Sequence, residues 1–64
     1  MSAIAVNLLA ENGFTGARSH GTQRGKVIMQ IPTSKGTVWE RFEESRLEDA
    51  IVEWTRSGVE PKQW

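Results

Sequence analysis

The sequence predicts a small α+β domain: a helix, an antiparallel β-hairpin with room for a third strand inside 14–21, and a second helix. Three observations carry that expectation. Apolar residues recur at helical spacing near both ends, at Ile4, Ala5, Leu8 and Leu9 and again at Leu47, Ala50, Ile51 and Trp54. Between them Val27, Met29 and Ile31 alternate with Ile28 and Gln30, the period of a strand. The 64 residues suffice for one domain, 1–64, with 58–64 as a C-terminal tail. A chain of this length buries only about 60% of the surface it exposes when unfolded, so its helices must dock on its strands.

Ser2 is placed to cap the first helix, and Asn12-Gly13 to end it, because glycine accepts the left-handed conformation that closes a helix. Gly13 to Gly25 has loop composition, with Gly16 and Gly21 among Thr15, Ser19 and Thr22, or forms a poor edge strand around Ala17–His20. Lys26–Pro32 reads as a strand that Pro32 stops, since proline has no N–H for the ladder. Thr33-Ser34-Lys35-Gly36 is turn chemistry, and Thr37–Phe42 resumes as the second strand of a hairpin. On it Val38, Glu40 and Phe42 share one face and Trp39 takes the other, either as an exposed anchor for a partner or, the favoured expectation, with Met29 as the bed that helix one needs. Ser45-Arg46-Leu47-Glu48 matches a capping box. The stripe of Leu47, Ala50, Ile51 and Trp54 follows, and Gly58 supplies the stop.

Catalytic chemistry is not expected. There is one histidine, no cysteine and no tyrosine. Ser19 and His20 are neighbours in sequence, which is not the geometry of a nucleophile and its base, and a solvated loop histidine is the simpler expectation. Without cysteine there is neither a disulfide scaffold nor a thiolate metal site, and no His pair has zinc spacing, so no metal or other cofactor is expected. The glycine-rich stretch does not match GxGxxG, and Gly25-Lys26 leads into a strand rather than a phosphate-binding helix. No apolar run approaches the roughly 18 residues of a membrane span, and MSAIAVNLLAEN has no basic n-region. A cytoplasmic protein without membrane contact is expected.

Eight basic residues balance eight acidic ones, but they are unevenly placed. Residues 1–36 hold four cations against Glu11, whereas 37–64 hold four against seven carboxylates. Two surfaces follow. In the first, Arg18, Arg24 and Lys26 flank a flexible loop, 18–26, whose Ser19, Thr22 and Gln23 add hydrogen-bonding groups suited to a nucleic-acid backbone. Three cations on a neutral domain leave a weak electrostatic footprint, so direct nucleic-acid binding is the secondary expectation. In the second, Glu40, Glu43, Glu44, Glu48, Asp49 and Glu53 belong to a window, 40–60, that holds seven of the eight acids. On a helical wheel Asp49 and Glu53 fall about 200° and 240° from Leu47, opposite the apolar stripe, where Arg46 and Arg56 also lie. Such carboxylates complement a helix start and form ordinary i, i+3 pairs. They can also imitate a phosphate track and occupy a basic groove on a partner protein.

The element order resembles that of the double-stranded-RNA-binding domain. That family places a lysine-rich cluster at the start of its last helix, where this chain reads Arg46-Leu47-Glu48-Asp49 after Glu43-Glu44, a sequence that repels phosphate. In size, missing catalytic groups and acidic helix–hairpin unit, the chain resembles the small phage-encoded inhibitors of bacterial defence, of which anti-CRISPR proteins are the best-known class. That resemblance implies a non-catalytic inhibitor in the bacterial host cell that binds a CRISPR effector and blocks its access to DNA. Glu43, Glu44, Glu48, Asp49 and Glu53 would carry the contact. A homodimeric interaction module built on the hairpin, Trp39 and Trp64 is the remaining alternative to a monomer.

Overall fold

The computed structural model describes residues 3–62. Its elements are α1 (Ala3–Glu11), β1 (Arg18–Gln23), β2 (Lys26–Thr33), β3 (Gly36–Glu43), a 3-10 turn (Glu44–Arg46) and α2 (Leu47–Thr55). The strands form one antiparallel sheet in the order β1-β2-β3. The domain is thus the expected helix–sheet–helix, with the third strand present. That strand lies at Arg18–Gln23, later than 14–21, because glycines interrupt the chain before it and a sheet partner is available only from Gln30 down to Lys26.

The alternation along β2 decides where the core forms. Val27, Met29, Ile31 and Thr33 are buried, and opposite the first three in register lie Phe42, Glu40 and Val38 of β3. On this side pack Ala5 and Leu9 of α1 and Leu47 and Ile51 of α2, with Phe14 from the intervening loop. Half-buried Trp54 closes the core, its ring 4.9 Å from that of Phe14 and 5.9 Å from that of Phe42. Both helices therefore lie on one face, and among the described residues no helix or strand covers the other face of the sheet.

The helix ends differ from each other in how they are satisfied. At the end of α1, Gly13 N–H donates to Ala10 O and Phe14 N–H to Leu9 O, with Gly13 at φ +91°. This is a Schellman closure, and its apolar contact is made by Leu9 and Phe14, both buried. At the start of α2 the capping box does not form. Glu44–Arg46 winds as a 3-10 turn, which takes Ser45 inside it and leaves Arg46 as the N-cap without a side-chain hydrogen bond. The expected Ser2 cap lies outside the described residues, as does Trp64. Ile4, assigned to the core stripe of α1, is 67% exposed, because α1 buries the Ala5–Leu9 edge instead.

Pro32 does not end its strand. β1 has already stopped opposite Gln30, so no ladder bond to it is lost, while Pro32 still pairs with Thr37. The chain after α2 is also tied down: Ser34 N–H donates to Glu60 O at 2.9 Å, and Pro61 bridges to Thr33. The core argument gives a contrast measurable by urea unfolding. Ile51→Ala should cost about 2–5 kcal/mol, most of the stability of so small a domain, whereas Ile4→Ala should stay within about 0.5 kcal/mol.

Candidate functional site

Strand parity places a second set of side chains on the uncovered face. From β3 come Thr37, Trp39, Arg41 and Glu43; their partners on β2 are Pro32, Gln30, Ile28 and Lys26. Arg18 of β1 sits beside Gln30, and Gln23 beside Lys26. Between these two pairs the register slips, so that His20 and Gly21 both oppose Ile28. Gly21 takes φ +94°, and the extra residue of this bulge resets the parity of the strand, which returns Gln23 to the open face.

At the centre of the face is an aromatic pair. The rings of His20 and Trp39 are 4.6 Å apart and tilted by 47°, and His20 Nε2 lies 2.8 Å from Gln30 Oε1. An amide oxygen only accepts, so the ring donates from Nε2 and is held over the middle strand. His20 is thus a strand residue with two partners rather than a loop residue, and it remains exposed to solvent. Ser19, its neighbour, turns toward Met29 on the opposite face, and its Oγ is buried without a hydrogen-bond partner. The two cannot form a dyad. Trp39 is 58% exposed, contrary to its expected place under helix one. The bed of the helices is the Met29 face, and Trp39 is paired to Gln30, one residue out of phase with it.

Beside the aromatic pair is a shallow cavity of about 390 Å³ lined by Gln23, Arg24, Lys26 and Arg41. Arg24 and Gly25 form the tip of the β1–β2 hairpin with φ +54° and +75°, the pattern of a two-residue type I′ turn. Asn, Asp or Gly ordinarily fills the first position of that turn, whereas a longer side chain pays a steric penalty there. An arginine is held in that conformation here, next to two further cations. Arg41 was not among the sequence candidates, because it belongs to the acidic half of the chain. The signal was available in its spacing, since Arg41 stands two residues after Trp39 and must share its side.

The carboxylates are distributed differently. Glu40 faces the core side of the sheet opposite Met29 and is half-buried. Glu43 lies at the end of the open face, opposite Lys26, and Glu44 accepts a hydrogen bond from Thr22 Oγ1 at 3.3 Å. Glu48, Asp49 and Glu53 are exposed on α2, as are Arg46 and Arg56 around them. The six acids named from the sequence therefore do not converge on one surface. The four cations Arg18, Arg24, Lys26 and Arg41 do gather on or beside the open face, where Glu43 is the carboxylate among them. Charge is divided between the two sides of the sheet as well as between the two halves of the chain.

Among the described residues, no three histidine or carboxylate side chains converge as metal ligands would, and no helix is long and apolar enough to cross a membrane. The chain matches no protein-family model, and no curated protein or solved structure matches it. The backbone at the hairpin tip yields its own test. Arg24→Asn should raise stability by about 1 kcal/mol in urea or thermal unfolding, because asparagine tolerates the left-handed region.

Proposed function

We propose that this protein is a non-enzymatic nucleic-acid-binding domain that presents the open face of its sheet to the ligand. One observation carries the proposal: Trp39, 58% exposed, stands on a side-chain layer shared with Arg18 and Arg41, with Arg24 and Lys26 at its margin. Nucleic acids offer the two complements of such a surface, phosphates for the cations and flat bases for the aromatic ring. The sequence-derived loop 18–26 becomes part of a larger surface in which Arg41 and Trp39 of β3 join Arg18, Arg24 and Lys26. Gln23 and Gln30 add hydrogen-bonding groups to the same layer. The one histidine is engaged by Gln30 and Trp39, which suits a recognition surface better than proton transfer.

The helix side supports a second role. Glu44, Glu48, Asp49 and Glu53 are exposed there, with Glu43 exposed at the end of the open face, and three of these acids ride on α2, which Leu47 and Ile51 anchor to the core. A rigid set of carboxylates fits a basic protein surface, as in a phage-encoded inhibitor of the anti-CRISPR kind that shields the DNA channel of an effector. In that case, reversing Glu43, Glu44, Asp49 and Glu53 to lysine should abolish capture of the effector, and binding should weaken as salt rises.

For the primary proposal, labelled oligonucleotides titrated with the protein should show saturable anisotropy changes at low salt. With four phosphates neutralised, the logarithm of affinity should fall against the logarithm of salt with a slope of about −3 for a single strand. Replacing Arg18, Lys26 and Arg41 together by alanine should remove most of that dependence. Absence of binding to any DNA or RNA at low salt, with a concentration-dependent dimer in sedimentation that Trp39→Ala disrupts, would instead make the open face a homodimer interface.

A further inference from the structure

Two features of the open face are close enough to select among nucleic-acid ligands. Building on the nucleic-acid role proposed above, we infer that the ligand is a single strand, with an unpaired base stacked on Trp39 and the adjacent phosphates held by Gln23, Arg24, Lys26 and Arg41. Trp39 and Arg41 stand two residues apart on the same side of β3, a separation of about 7 Å at the rise of a strand. A base and the phosphate next to it on one extended chain can span that separation, so both contacts form together. In a duplex the bases are stacked on one another and show only their edges in the grooves, which leaves an indole ring without a π-face to meet.

The composition of the face points the same way. Four cations, with Glu43 opposing them, supply little of the counterion release that drives duplex binding, so stacking must contribute a large share of the affinity. The charge of the cavity lining suits an anion. Arg24, Lys26 and Arg41 bring like charges around one concavity, an arrangement that a phosphate relieves. His20, fixed by Gln30 and tilted against Trp39, orients the indole for the incoming base.

The test titrates the full chain into short labelled DNA and RNA single strands and into the same DNA as a duplex, followed by anisotropy at several salt concentrations. Single strands should bind about ten-fold tighter than duplex or more. Trp39→Ala should lower single-strand affinity by about ten-fold with the salt slope unchanged, and its circular dichroism should match the parent, since Trp39 lies outside the core. Arg41→Ala should reduce the slope by about 0.7. Duplex bound as tightly as single strands, Trp39→Ala without effect, or Arg41→Ala with an unchanged slope would overturn the inference while leaving the nucleic-acid role intact. If neither form binds, that role falls as well.

Discussion

Eight consecutive residue pairs, from Lys26 with Glu43 to Thr33 with Gly36, lock β2 to β3, and most other features depend on that register. It sets Val27, Met29 and Ile31 on the same side as Val38 and Phe42, creating the one apolar surface large enough to hold two short helices. A slip of one residue would move every β3 side chain to the opposite face. Trp39 would then enter the core and Phe42 would leave it. The same ladder also aligns Gln30 with Trp39 and Ile28 with Arg41, so the open face is ordered as a by-product of the core.

Placing both helices on one side has an electrostatic consequence. The carboxylates of α2 project away from the sheet, and the cations of the strands and hairpin tip project from its other side. A domain with no net charge thereby acquires two unlike surfaces separated by its own thickness. Even the shortest dimension of the domain, 16 Å, is about twice the roughly 8 Å screening length at physiological salt, so each side can meet its own ligand with little interference from the other. The bulge at Gly21 belongs to the same design. It absorbs one residue of β1 and returns Gln23 to the open face, next to Arg24 and Lys26.

Much of the fold was legible residue by residue. The alternation at Val27, Met29 and Ile31, the 3.6-residue stripe ending in Trp54, and Gly13 as the terminator of α1 all act through short-range geometry, which a sequence displays directly. β1 was only half visible, because Gly21 and a run of polar residues leave no hydrophobic period. It is a strand because β2 offers it an edge. The capping box at Ser45 misled for a related reason. Its spacing is correct, but the tight return from β3 to α2 winds that segment as a 3-10 turn before the helix begins. Pro32, likewise, marks a strand end only where a neighbour needs its N–H, and β1 has stopped before it.

By itself the sequence determined both helices, the β2–β3 hairpin and the absence of cysteine chemistry, since these follow from local conformational preference, periodicity and composition. It also showed that charge is unevenly distributed between the halves of the chain, but not how the fold divides it between the two sides of the sheet. Only the tertiary structure decided that the helices share one side, that Trp39 is left uncovered, and that Arg41 of the acidic half joins Arg24 and Lys26. Those outcomes depend on contacts between residues distant in the chain. Helix docking consumes the Met29 face, and whatever alternates with it is left for solvent or for a ligand.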